Sequence, residues 1–405
     1  MSERSDYFES ERKRILGEIG LRDEDDTVYT KWIERIDRGE FSVEDVPAFM
    51  DDYFGKYAKK DEESTSKIKD ELRKRIDIIK PQLAEHFKCP EEQIIVGDLS
   101  FEEAEDDVRK VQARIVFGNV VCSNSNISDL GDLEYVEKSL IISGCYIRDT
   151  GKVKYIGEDF DSCDSDLERI SEVEYIGGNA TCGKNVKDIG KLKHCIGRFD
   201  CSKSRDLKSL QSLTYLGKTP NLGWINNLGN VRMVEDELIC TGDEEIDEFP
   251  NLEYVGGQMV LGFNNFFLPK KLSVDGDLLF TNSQIREVKD CDLVVGNNVY
   301  YGEEYREEIP EKDGTSWTLI EGGIVKFDDN VKVFGDIVCD DGKKMSREDV
   351  ATKKAEITPN DMLKAGASEA GKSTEAKGIL QELTPEQITG IIQNILDEDD
   401  FSGNK

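Results

Sequence analysis

A phrase of the form apolar-x-Tyr-Val/Ile recurs along the middle of the chain, at Leu133-Glu134-Tyr135-Val136, Val153-Lys154-Tyr155-Ile156 and Val173-Glu174-Tyr175-Ile176. A repeat of roughly 20 residues is one supersecondary unit that buries its apolar residues only against its neighbours, so the chain must stack coils into a solenoid. Such a unit has little room for a strand and an α-helix. Coils of short strands and turns are therefore expected, with strands of successive coils pairing in parallel and like residues forming ladders.

Within a coil, Val120 and Cys122 alternate inward as a strand, Ile127, Leu130 and Leu133 follow at steps of three, and Tyr135-Val136 closes the turn. Later coils repeat these roles, with His194-Cys195 and Met233-Val234 standing where Tyr-Ile is expected. The series runs to Val299 and Tyr301 and gives about nine or ten coils. Phe334-Gly335-Asp336-Ile337-Val338-Cys339 echoes Phe117-Gly118-Asn119-Val120-Val121-Cys122 and is expected to close the stack. The pairs Gly177-Gly178 and Gly256-Gly257 suit a corner that needs positive φ or close backbone approach.

The coils around Asn251-Leu252-Glu253-Tyr254-Val255-Gly256-Gly257 and Leu272-Ser273-Val274-Asp275-Gly276-Asp277-Leu278 resemble leucine-rich-repeat-like β-solenoids, in particular receptor L-domain repeats. That resemblance implies a right-handed parallel solenoid and leaves the ligand unspecified.

Flanking segments read as helical. Residues 1–92 form an N-terminal helical unit in which Val28, Trp32, Ile33 and Ile36 share a face and Val46, Phe49, Met50, Tyr53, Phe54 and Tyr57 mark a second helix. Ile68, Leu72, Ile76, Ile79, Leu83 and Phe87 mark a third, bent near Pro81. Residues 93–342 hold the solenoid and its closing strands, and 343–405 a polar linker and an amphipathic helix. That last helix starts at Thr384-Pro385-Glu386-Gln387, with Ile388, Ile391, Ile392, Ile395 and Leu396 on one face. The face is expected either to dock on its own protein or to enter a partner's groove. The fold class is thus α+β, a central parallel solenoid between helical flanks.

Lys and Arg total 53 against 85 Asp and Glu, a net charge of -32. Roughly ten net negatives fall in each of the three regions, a balance that disfavours nucleic acid and anionic membrane surfaces as partners. The first residues carry no apolar signal run and no stretch approaches the roughly 20 apolar residues of a membrane span, so the expected compartment is the cytoplasm. The ten cysteines form no CxxC pair. Cys122, Cys182, Cys201 and Cys240 occupy inward positions and read as small reduced core residues.

Catalytic patterns are sparse. Gly366-Ala367-Ser368-Glu369-Ala370-Gly371-Lys372-Ser373 fits the phosphate-loop spacing but lacks the strand before it and the sheet after it that such a loop requires. With only His86 and His194, histidine triads and multi-histidine zinc sites are nearly excluded by count. Asp159, Asp161, Asp164 and Asp166 cluster in one coil, where they suit Ca²⁺ or the acid pair of a polysaccharide-cleaving β-helix. Tyr135, Tyr155, Tyr175, Tyr215 and Tyr254 occupy equal repeat positions and form a column. Facing outward it is an aromatic binding strip; facing inward it is corner packing, which the adjoining apolar residues favour. The expected function is a non-enzymatic scaffold for a protein partner, without cofactor or metal. A carbohydrate-binding or carbohydrate-cleaving β-helix using surface carboxylates is the alternative.

Overall fold

The computed structural model describes residues 3–23, 26–58, 62–102, 107–240, 249–262, 268–281, 287–288, 290–301, 305–311, 314–320, 326–327, 330–339 and 344–345. It shows a parallel β-solenoid preceded by five α-helices, α1 (Glu3–Ile19), α2 (Asp26–Asp37), α3 (Val46–Tyr53), α4 (Glu62–Arg73) and α5 (Ile76–Phe87).

The Tyr-Val/Ile pairs are the strands of one twelve-stranded sheet that runs from Ile94–Val96 to Lys332–Val333. Its pairing is parallel and in register, Tyr135 against Tyr155, Tyr155 against Tyr175, and Tyr175 against His194. A second face comprises two six-stranded sheets, one from Leu99–Ser100 to Phe199–Asp200 and one from Leu238–Cys240 to Lys344–Met345. On the third side the coils meet through isolated parallel bridges, such as Asp149 to Arg169 and Ser209 to Asn227, and through one short parallel pairing of Glu287–Val288 with Lys326–Phe327.

Period-two alternation sorts the side chains of the long sheet into two cores. Val136, Ile156, Ile176, Cys195 and Leu216 point into the solenoid, where they join the inward residues of the second face. Their neighbours Tyr155, Tyr175, Tyr215, Met233 and Tyr254 point out of it and belong to a separate core shared with the helices. Burying several apolar side chains per coil, at roughly 1.5–3 kcal/mol each, offsets the ordering of the backbone only in the stacked array.

Two turns explain the polar letters of the repeat. Asp129, Asp149, Asp188 and Asn227 each accept a hydrogen bond from the backbone of the glycine two residues on, at 2.6–2.8 Å. Those glycines have φ between +53° and +66°, a conformation that other residues rarely adopt. The glycine after Tyr-Val/Ile answers to a different constraint: at Gly177 the backbone is not left-handed, and a Cβ there would collide with the carbonyl oxygen of Gly157 in the preceding coil. Close approach, and not positive φ, selects glycine at this corner.

The echo at Phe334–Cys339 is the last coil among the described residues. Lys332–Val333 pairs with Val294-Val295 and Ile337–Cys339 with Val299–Tyr301, while the antiparallel hairpin of Tyr305–Glu311 and Gly314–Ile320 is inserted between these partners. Three sequence expectations shift. Tyr57, expected on the second helix, lies past its end at Tyr53, in a short strand with Ala58 that pairs parallel with Arg22–Asp23. The chain is helical from Glu3, before the first helix expected, and the helix expected to bend at Pro81 is instead interrupted between Arg73 and Ile76. At that break two arginines diverge, Arg73 towards Glu137 and Arg75 towards Asp37.

Candidate binding surface

The tyrosine column faces away from the solenoid core, and the chain's own helical unit covers it. Tyr155, Tyr175, Tyr215 and Tyr254 are at most 5% exposed and Tyr135 is half-buried. Phe54 packs between Tyr135 and Tyr155, with ring centroids 5.1 and 5.2 Å away, and Phe8 lies against Tyr254. Tyr155 and Tyr175 stack face to face at 5.0 Å. Their polar tips are used: the Tyr175 hydroxyl donates to the carbonyl of Tyr57 at 3.0 Å, and that of Tyr215 to Glu235 at 3.1 Å.

The helices run along the sheet against the order of the coils. At the start of α1, Arg4 pairs with Asp275 and Tyr7 meets the Ser273 hydroxyl; further along, Arg12 pairs with Glu235 and Arg14 with Glu253. The Ile19 carbonyl caps His194, Lys56 reaches Glu174, and Arg73 reaches Glu137 before α5 delivers the chain to the first coil. Charges rim this seam and aromatic rings fill it. His194 is buried with Nε2 at 3.0 Å from the Ile19 carbonyl, so Nε2 carries the proton, and Nδ1 has no partner. Burial, reinforced by Lys56 and Lys193, pushes its pKa down to about 4.

Two members of the acidic cluster accept backbone N–H groups. Asp159 accepts the backbone N–H of Asn179 at 2.7 Å, Asp161 accepts that of Cys163 at 2.8 Å, and Asp164 has φ +53°. Among the described residues no group of three or more His, Cys, Asp or Glu is placed to hold a metal ion. His86 stands edge-on to Phe87. Cys122, Cys182, Cys201 and Cys240 are buried free thiols, and burial raises their pKa, at Cys122 to about 12. The partner-helix face of Ile388, Ile391, Ile392 and Ile395, and the phosphate-loop-like stretch 366–373, lie outside the described residues.

With the long sheet covered, the informative open surface is on the middle coils. From Lys184 to Arg232 the sequence holds ten Lys and Arg against three Asp and no Glu, a net of +7 within a chain of net -32. Stacking gathers these charges: the Ser204 hydroxyl donates to the carbonyl of Gly183 at 2.9 Å, and Gly223 sits directly against Ser202. Lys184, then Lys203 and Arg205, then Trp224 therefore follow one another up a single edge, with Lys208 alongside. Trp224 is partly exposed, with the Arg205 guanidinium 5.3 Å and the Lys208 ammonium 5.5 Å from its ring centroid.

The belt differs from the coils before it. There, cations are matched across coils, Lys152 to Asp132 and Arg169 to Asp149; within the belt Lys187 is still matched, to Glu168. Lys184, Lys203, Arg205 and Lys208 pair with no carboxylate among the described residues. Around the next corner an open groove is lined by Lys191, Lys193, Thr214, Asn230, Arg232 and Asn251, and there Lys191 is matched to Glu172 and Arg232 to Glu18 and Glu253. Charge tallied over a third of the chain averages this belt away; the sign change over Lys184–Arg232 was the signal that could have found it.

Comparison with protein-family models, with curated proteins and with solved structures returns no match. No described helix is long and apolar enough to cross a membrane.

Proposed function

We propose that the chain is a non-enzymatic scaffold that binds an acidic segment of a protein partner on the cationic belt. The observation that carries this reading is the set of four unmatched cations, two of them against the Trp224 ring, on a protein of strongly negative net charge. Charge complementarity of this kind orients an encounter and rejects partners of like charge, and an exposed Trp beside Arg is the composition of an interaction hot spot. The ladder beneath the belt is hydrogen-bonded coil to coil, so the backbone that carries the cations is fixed before the partner arrives.

The size of the belt sets the chemical class. Three coils span only about 10–15 Å. A short acidic peptide fits within that length, whereas an extended phosphate backbone would run on over anionic coils to either side and be repelled. The carbohydrate alternative relies on convergent surface carboxylates, and in the belt carboxylates are the minority.

The test is binding of a fluorescent peptide rich in Asp and Glu, with one Phe, to the full chain and to Lys203→Glu/Arg205→Glu/Lys208→Glu. The reading expects affinity to fall at least tenfold in the triple variant and to weaken with added salt. Equal binding by both proteins would overturn it.

A further inference from the structure

The edge that carries the belt also holds its opposite. Strand register makes successive coils of Leu140–Ile141, Phe160–Asp161, Ala180–Thr181 and Phe199–Asp200, and the Asp200 to Asn221 bridge adds a fifth. Their turns at this edge carry, in order, Tyr146, then Asp164 and Asp166, then Lys184, then Lys203 and Arg205, then Trp224. Asp164 and Asp166 are exposed and, like the cations of the belt, have no oppositely charged partner among the described residues. Glu168 beside them is matched to Lys187, and Asp206 offsets one of Lys203, Arg205 and Lys208, so the acidic turn is left with -2 and the basic turn with +2. At about 4.8 Å per coil the acidic and basic turns lie about 10 Å apart, each one coil from Lys184. Exposed Tyr146 and partly exposed Trp224 lie about 19 Å apart, each two coils from it. Opposite charges and open rings thus sit at equal distances on either side of one coil. A surface of that pattern is complementary to itself turned end for end, which is the condition for a two-fold interface.

We propose that the acidic partner of the belt is a second copy of this chain, docked edge to edge about a two-fold axis through the Lys184 coil. Asp164 and Asp166 of each copy face Lys203 and Arg205 of the other, and Tyr146 of each lies against Trp224 of the other. The pairing rests on the belt's taking acidic protein surface, as proposed above. With the coils of both copies running in the same order, acidic turn would meet acidic turn, so charge admits one orientation only. A strip about 19 Å long falls short of the roughly 1,200 Å² of a stable complex. A net charge of -32 on each chain also opposes approach. The association is therefore weak and belongs to concentrated solution, and the dilute chain keeps Tyr146 and Trp224 open.

The test is sedimentation of the full chain over a wide range of concentration, beside two variants. Lys203→Glu/Arg205→Glu/Lys208→Glu reverses the basic turn. Asp164→Asn/Asp166→Lys reverses the acidic one, with Asn at 164 because φ there is +53°. The mass of the parent should rise towards twice that of one chain, and each variant alone should associate about tenfold more weakly or less. An equimolar mixture of the two variants should associate again, because each reversed turn then meets a turn of opposite charge. The acidic-turn variant keeps its belt and should bind the acidic peptide as the parent does. A parent that binds the peptide but stays monomeric at every concentration would overturn the pairing and leave the belt's function standing; a parent that does neither would remove both. Association that neither variant weakens, or that the mixture does not restore, would place the contact elsewhere on the chain and overturn the pairing as well.

Discussion

The guanidinium of Arg73 forks onto the carboxylate of Glu137, Nε at 2.6 Å from Oε2 and a terminal nitrogen at 3.0 Å from Oε1, across 64 residues of sequence. The Tyr53 hydroxyl donates to the same carboxylate at 2.5 Å, and the Glu137 side chain is 2% exposed. A buried carboxylate held by an arginine fork and a phenol ties α3 and α4 to the coil that begins with Tyr135. Burial beside this carboxylate holds the Tyr53 phenol well above its ordinary pKa, so it remains a donor. Removing one partner strands the other: Arg73→Met is expected to cost about 3–5 kcal/mol, and Arg73→Met/Glu137→Gln appreciably less than the two single costs combined. Urea unfolding of the three variants measures this, and strictly additive costs would contradict the coupling.

His194 gives the seam a pH dependence of defined sign. Its folded pKa, about 4, lies below the ordinary value of 6.5, so the unfolded chain binds its proton first as pH falls. The stability it contributes is complete above pH 6.5 and is lost as pH falls towards 4, by up to about 3 kcal/mol. Lys56 and Lys193 face the ring and oppose the charge, and Glu174 favours it by less. His194→Gln retains a donor for the Ile19 carbonyl and cannot titrate. Its unfolding free energy should be flatter than the parent's between pH 6.5 and 4.5, and an identical slope would rule out the assignment.

Two glycines separate the two constraints of the repeat. A Cβ at Gly151 meets nothing within 4 Å, but φ is +61°, so Gly151→Ala should cost about 1–2 kcal/mol in backbone strain alone. At Gly177 the Cβ collides with a neighbouring coil's carbonyl, and a backbone carbonyl in a ladder cannot yield without moving its strand. Gly177→Ala should cost more than Gly151→Ala by calorimetry, and the reverse order would show that the corner relaxes.

The repeat was legible because each of its roles has its own residue type. Inward Val136, Ile156 and Ile176 are apolar, and Gly177 admits no side chain, so period and register could be read directly. The covering of the tyrosines was not legible, because nothing local to Tyr155 states whether solvent or Phe54 lies above it. Helix α1 escaped notice for a related reason. Only Phe8, Ile15 and Leu16 of its residues are buried, and Arg4, Arg12, Arg14 and Glu18 look like solvated charge until Asp275, Glu235, Glu253 and Arg232 are set opposite them. The cationic belt was in the sequence from the start, but its meaning depends on stacking, which brings Lys184, Arg205 and Trp224 from separate turns to one edge.

Hydroxyl-radical footprinting of the full chain, free and with the acidic peptide bound, tests the whole arrangement in one measurement. The account predicts that Tyr155, Tyr175, Tyr215 and Tyr254 resist oxidation in both states, that exposed Tyr146 is oxidised in both, and that Trp224 is oxidised when free and protected when the peptide is bound. Oxidation of the tyrosine column in the free chain, with protection on binding there and none at Trp224, would contradict it.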